Sequence, residues 1–279
     1  MFHVKPMVPA DFGFAVELAN TMNWNMATED FQFLTALEPQ GCFVLWAGAE
    51  RIGIATCISY GKVGWFGNLI VQEAYRRQGA GRLLVKHAVE YLQGKGVETI
   101  GLYAYPQLTS FYGRLGFQQD EDFSVLHAKT LGAATAPALP RVRAQELGAV
   151  AEFDRRCFGG DRRRLLESIM LEEGNLGFYV SEGGAVVGYV AATVYETMAW
   201  VGPLVCREAD VATASLLLRA ALGRLGGKSV YGVVPKKETA LILELAGYGL
   251  REEFDVTRMF LGAAVAKNCM YMAESLERG

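Results

Sequence analysis

VGWFGNLIVQEAYRRQGAGRLLVKHAVEYLQGKG, residues 63–96, is the stretch on which the reading of this chain turns. Its first part is rich in aromatic and β-branched residues and reads as a strand ending at Val71. A basic turn with glycine, Tyr75 to Arg82, follows. From Arg82 onward apolar residues recur at helical spacing until the run stops on glycine. ETIGLYAY, residues 98–105, is again strand-like, so the whole predicts a strand-helix-strand crossover. The turn itself, Arg76-Arg77-Gln78-Gly79-Ala80-Gly81, suits a phosphate. Glycines let the backbone turn its N–H groups outward, and the helix start adds the positive end of its dipole. Arg76, Arg77 and Arg82 add charge. A dinucleotide fingerprint is excluded, because the G-x-G-x-x-G spacing and the ribose-binding acid are missing. A Walker A loop is excluded as well, since no Gly-Lys-Ser/Thr follows.

Working outward, FGFAVELANTM after Asp11 and ATEDFQFLTAL predict two helices, the second capped by Thr28 with Glu29 and Asp30 in its first turn. GCFVLWAGAE and RIGIATCISYG predict two strands that complete a meander with the one ending at Val71. After the crossover, QLTSFYGRLG reads as a helix closed by Gly116. FQQDEDFSVLHAKT reads as a polar turn leading into a strand. TLGAATAPALPRV, rich in Ala, Gly and Pro, is the linker candidate. The second half then repeats the order: AQELGAVAEFDRRCF and DRRRLLESIMLEE, three strand-like runs, the helix ADVATASLLLRAALGRLGG, SVYGVVP, KETALILELAGYG and EFDVTRMFL. WFGNLIV lines up with WVGPLVC, and SFYGRLGF with LILELAGY. The fold class is therefore α/β (α+β), two tandem copies of one unit, each a mixed and mostly antiparallel sheet flanked by helices. We expect an N-terminal domain at 1–132, a linker at 133–140 and a C-terminal domain at 141–279, whose last residues, NCMYMAESLERG, have helical composition.

Composition narrows the function. The chain has 279 residues, 51% hydrophobic and 20% charged, enough to bury two cores. No apolar run reaches the ~20 residues of a membrane span, and the start lacks a signal-peptide core, so we expect a cytoplasmic protein with no membrane partner. The net charge of −3 provides no field for nucleic acid. Cys42, Cys57, Cys157, Cys206 and Cys269 show no C-x-x-C spacing, which predicts packing residues with neither a disulfide framework nor a metal site. Arg162-Arg163-Arg164 reads as a solvated helix face.

The turn at 76–81 matches in full the signature Gln/Arg-x-x-Gly-x-Gly/Ala of the GNAT superfamily of acetyltransferases, and Phe111-Tyr112-Gly113-Arg114-Leu115-Gly116-Phe117 is similar to the family's tyrosine helix ending in Leu-Gly-Phe. On these two motifs the chain resembles a tandem-GNAT protein, with intact motifs in the N-terminal copy. The resemblance implies acetyl-CoA as co-substrate, its pyrophosphate held by the backbone of Arg77 to Arg82 in a turn opened by Arg76. Leu69, Ile70 and Val71 would pair with the pantetheine arm like an added strand. It gives Tyr112 the role of general acid toward the departing thiolate. Many relatives carry asparagine seven residues before that tyrosine; here the residue is Tyr105. The implied activity is transfer of an acetyl group to an amine of a small-molecule or peptide acceptor, directly in a ternary complex.

A catalytic base is not singled out. Glu73, Glu29, Asp30 and the cluster Asp120, Glu121, Asp122 read as caps or loop charges, and His87 and His127 as structural. Trp24 and Trp65 are candidates to line an acceptor pocket, with core burial the commoner fate. In the second copy the turn reads Arg207-Glu208-Ala209-Asp210-Val211-Ala212, without glycine and with two carboxylates where an anion would sit, and Leu243 stands in the place of Tyr112. The C-terminal domain is thus expected to be non-catalytic, shaping the acceptor pocket or a homodimer contact. The competing reading is an acyl-CoA-binding pseudo-enzyme that serves as a sensor.

Overall fold

The chain divides into two units, each with its own helices. The computed structural model describes residues 1–132, 135–265 and 269–279. The first unit comprises Met1–Leu102 with Leu261–Ala263 and Arg278; the second comprises Tyr103–Phe260 with Ala264–Glu277 and Gly279.

In the first unit, β1 (Phe2–Pro6), β2 (Cys42–Ala47), β3 (Glu50–Tyr60) and β4 (Val63–Val71) pair antiparallel in that order. Helix α3 (Ala80–Gly94) then carries the chain back to β5 (Thr99–Ala104), which lies parallel to β4. This is the crossover read from the sequence. Strand β1 was not anticipated, because FHVKP is short and ends on proline, and only pairing with β2 makes it a strand. Helices α1 (Phe12–Asn20) and α2 (Thr28–Leu37) precede the meander. The cap of α2 is a correction: Thr28 is its first helical residue, and the Asp30 carboxylate instead accepts the Ala27 N–H at 2.8 Å. Phe31, Leu34, Phe43, Ile54, Trp65 and Leu84 are all but solvent-free and form the core. Trp65 is therefore a core residue, and Trp24 is half-buried.

Glu38, like Asp11, is a buried carboxylate of this unit. Glu38 accepts hydrogen bonds from the Tyr91 hydroxyl (2.6 Å), the Lys95 ammonium (2.5 Å) and the Ser59 N–H (3.0 Å). Burial alone would raise its pKa, but the hydrogen bonds from Lys95, Tyr91 and Ser59 outweigh that and hold the carboxyl below its ordinary value.

The second unit is a sheet in the order β11 (Arg251–Leu261), β6 (Gln118–Ala128), β10 (Ser229–Pro235), β9 (Met198–Arg207), β8 (Ala185–Val194), β7 (Leu176–Glu182). All neighbours run antiparallel except β9 and β10. Helices α4 (Thr109–Gly113), α5 (Ala144–Phe158), α6 (Arg163–Met170), α7 (Val211–Leu222) and α8 (Thr239–Gly247) belong to this unit. Sequence repeat and compact unit partition the chain differently, because β6, from the first repeat, is hydrogen-bonded on one edge to β10 and on the other to β11. Residues 133 and 134 of the 133–140 linker lie outside the described residues.

Four expectations are corrected in this unit. The acidic run Asp120-Glu121-Asp122 lies in β6, where its side chains meet partners on β11. Arg258, buried on β11, binds Asp120 at 2.7 Å and Glu121 at 3.2 Å, and the Thr257 hydroxyl donates to Asp122 at 2.7 Å. Arg162 is no solvated charge: it is 1% exposed and forms a two-pronged pair with Asp154, at 2.6 and 3.0 Å, which also accepts the Tyr189 hydroxyl. Cys157 and Cys269 form a disulfide although 112 residues separate them; Cys42, Cys57 and Cys206 are free and buried. Finally, Cys269–Met272 is not helical but a strand, β12, antiparallel to β9. Tertiary contacts decide each of these cases, and local periodicity carries no trace of them.

Candidate functional site

The residues assigned to the cofactor, Leu69 to Val71 and Arg76 to Arg82, gather at one end of β4. Parallel pairing of β4 with β5 covers Val63–Trp65 against Thr99–Gly101, after which β4 runs on to Val71. Within this free-running half, pairing to β3 shifts register between Ile54 and Thr56. At the shift Asn68 adopts a left-handed conformation (φ +50°) and ties its buried amide to the Thr56 hydroxyl at 3.2 Å. The bulge re-aims the backbone of the residues after it. Leu69 is half-buried there, and Ile70 and Val71 are buried.

The turn that follows is braced by two of its own side chains. Arg76 donates from Nε to the Val71 carbonyl at 2.9 Å, and Gln78 from Nε2 to the Ala74 carbonyl at 2.8 Å. Arg77 (φ +61°) and Gly79 (φ +85°) are both left-handed, and Gly79 is the residue from which α3 departs. A Cβ on Gly79 would meet nothing within 4 Å, so glycine serves conformation here rather than space. Leu83 N–H returns to the Gly79 carbonyl at 3.0 Å. The N–H groups of Ala80, Gly81 and Arg82 precede the first intrahelical donor and point along the helix axis away from it. Arg76, Arg77, Gln78, Gly79 and Arg82 are exposed around them. The arrangement presents backbone donors, a dipole end and cationic side chains to solvent at one place, and it fits an anionic group such as a pyrophosphate.

Tyr112 lies in the second unit, on α4. It is 5% exposed, with Phe111 at 5.0 Å and Phe117 at 5.9 Å, both edge-on. Burial raises its pKa above the ordinary phenol value, so it holds its proton at neutral pH. Tyr105, in the place of the family asparagine, packs against Phe254 at 5.5 Å.

The other candidates have structural partners. His87 meets the Phe43 ring edge-on at 4.7 Å, and burial lowers its pKa. His127 stacks on Tyr231 at 4.0 Å and shares a hydrogen bond with the Ser229 hydroxyl at 2.9 Å. Glu29 and Glu73 are exposed. No group of three or more metal-binding side chains is present among the described residues, and no helix among them is long and apolar enough to cross a membrane.

In the second repeat the corresponding helix start is filled from within. The Asp210 carboxylate accepts the Thr213 N–H at 3.1 Å and so caps α7; that hydrogen bond, more than the nearby Arg207, lowers its pKa. Leu243 is 73% exposed.

Two family models match the chain, an acetyltransferase (GNAT) family at residues 15–117 and an acetyltransferase (GNAT) domain at residues 150–271. The chain is a tandem-GNAT protein, a member of the GNAT acetyltransferase superfamily. YitH, an uncharacterized N-acetyltransferase of Bacillus subtilis (strain 168), is 24% identical over 237 residues, which cover 82% of this chain and 81% of that one. An acetyltransferase structure from Pyrococcus horikoshii shares the fold with a TM-score of 0.81 at 22% identity, covering 100% of this chain and 96% of its own. A tandem GNAT protein from the clavulanic acid biosynthesis pathway shares it at 0.65 and 16% identity, covering 96% of this chain and 100% of its own.

Proposed function

We propose that the first repeat binds acetyl-CoA and that the chain transfers the acetyl group to the amine of a small-molecule or peptide acceptor in a ternary complex. The carrying observation is the left-handed pair Arg77 and Gly79, which turns the chain into α3 at the end of the free-running half of β4. The amides of residues 77 to 82 would hold the pyrophosphate, with Arg76, Arg77 and Arg82 adding charge and Gln78 bracing the turn. Leu69, Ile70 and Val71 would pair with the pantetheine arm as a strand edge pairs with a peptide. In the reaction the neutral amine attacks the thioester carbonyl, the N–C bond forms and the C–S bond breaks. The amine's extra proton passes to solvent, the departing thiolate takes a proton from Tyr112, which burial keeps protonated, and the Tyr112 phenolate regains a proton from solvent before the next turnover.

Calorimetric titration with acetyl-CoA tests the reading, with wild type beside a Gly79→Val/Gly81→Val variant. One equivalent bound per chain, lost in the variant, supports it; a flat wild-type titration refutes it. A panel of amines assayed for free thiol then separates an enzyme from a sensor: binding without thiol release for any amine would favour the sensor.

A further inference from the structure

Both units contain the same fork. In the first unit, β4 and β5 pair in parallel at Val63–Trp65 and Thr99–Gly101. In the second, β9 and β10 pair at Met198–Val201 and Ser229–Gly232, with Trp200 on the strand where the first has Trp65. Beyond this point the two differ. Leu204–Arg207 of β9 is paired antiparallel with Met272–Cys269 of β12, residue for residue. The next residue, Ala273, reaches the other prong: its N–H donates to the Val233 carbonyl of β10 at 3.0 Å. Residues 269–273 thus lie inside the fork of the second unit. They are paired to Leu204, Val205 and Cys206, the counterparts of Leu69, Ile70 and Val71.

We propose that residues 269–273 are a built-in stand-in for the cofactor arm, closing the second repeat's fork so that each chain takes up a single coenzyme A. The inference rests on reading Leu69–Val71 as the pantetheine strand. Three independent features show that the fork is made for this segment. Gly202, at the branch point, has no room for a side chain, since a Cβ there would lie 2.0 Å from the Ala273 carbonyl oxygen. Met270, Met272 and Ala273 are buried at 3%, 0% and 0% exposure, so the segment fills a core and does not merely rest on an edge. It is also fastened through its side chains: Cys269 is bonded to Cys157 on α5, and the Tyr271 hydroxyl accepts from Arg162 at 3.1 Å. At the phosphate end of the same repeat, Asp210 takes the helix N–H that an anion would need. Arm and phosphate each have an internal substitute.

Hydrogen exchange on the full chain, read by mass spectrometry, tests this together with a coenzyme A titration. Expected in wild type are slow exchange at 204–207 and 269–273 without ligand, one equivalent of coenzyme A bound, and slowing on binding at 69–71 but not at 204–207. Gly202→Val, which drives a side chain into Ala273, should speed exchange at 204–207 by about tenfold or more. Cys269→Ser is the milder variant and should speed exchange at 269–273 by about tenfold with the unit still folded. Two equivalents bound, with slowing at 204–207, would overturn the stand-in alone. So would exchange at 204–207 that is fast in wild type or unchanged in both variants. A flat coenzyme A titration is a separate failure, of the cofactor reading on which the inference stands.

Discussion

Replacing Gly79 with alanine isolates what its backbone conformation contributes to cofactor binding. The added Cβ touches nothing within 4 Å, so no steric clash accompanies the change. What remains is the cost of a left-handed φ of +85° in a residue with a side chain, about 1–2 kcal/mol. Two responses are open to the turn. It can keep its shape, in which case the chain loses that much stability, or it can relax, in which case the N–H groups of Ala80 to Arg82 move off the phosphate and binding weakens. A loss of about 1–2 kcal/mol in binding is a factor of about 5–30 in Kd. Gly61, in the β3–β4 turn, is a matched control, with φ +82° and equally open space. Gly61→Ala should lower Tm by a few degrees and leave coenzyme A affinity alone; Gly79→Ala should weaken binding by about 5–30-fold in calorimetry. If Gly79→Ala leaves both coenzyme A affinity and Tm at their wild-type values, the left-handed conformation of residue 79 carries no cost and this prediction fails.

Tyr112→Phe keeps the packing against Phe111 and Phe117 and removes only the hydroxyl, so turnover should fall while the Kd for acetyl-CoA is nearly retained; equal turnover would take Tyr112 out of the mechanism. Glu38, held below its ordinary 4.5, gives stability that is complete above that value and drains away as pH falls through its folded pKa. Urea midpoints measured from pH 6 down to about 2.5 should therefore drop more steeply for wild type than for Glu38→Gln, and parallel curves would contradict this. Arg162→Met leaves Asp154 charged and buried, at a cost of roughly 3–5 kcal/mol, whereas Arg162→Met/Asp154→Leu should recover much of it. A single variant within about 1 kcal/mol of wild type in denaturant unfolding would show the pair to be dispensable.

The alternation of strand and helix along both repeats was readable because amphipathic spacing is local, and β4, α3 and β5 fell where periodicity put them. The turn between β4 and α3 was readable for a different reason: left-handed backbone selects glycine, and Gly79 shows it. Arg77 adopts the same conformation without that mark, so its geometry was not foreseeable. Distant pairings left no sign in the sequence. Cys157 and Cys269 have no motif spacing, and Arg162 sits in a run of three arginines of which the other two are exposed. The segment 269–272 carries Met and Tyr that suit either helix or strand, and it is extended only because β9 has an edge to receive it. Likewise Glu38 is one acid among many until Lys95, Tyr91 and Ser59 converge on it.

The pairing of β6 with β10 and β11 also bears on how the chain is made. When Ala128 leaves the ribosome, neither neighbour of β6 exists, since Val230 lies about a hundred residues further on. At about 5–20 residues per second, β6 waits some 5–20 s with both edges bare. During that interval the nascent chain is open to pairing with another copy. A gene cut between the repeats would make the interval permanent, so the two halves should be expressed as one chain, and fragments ending near residue 132 should aggregate.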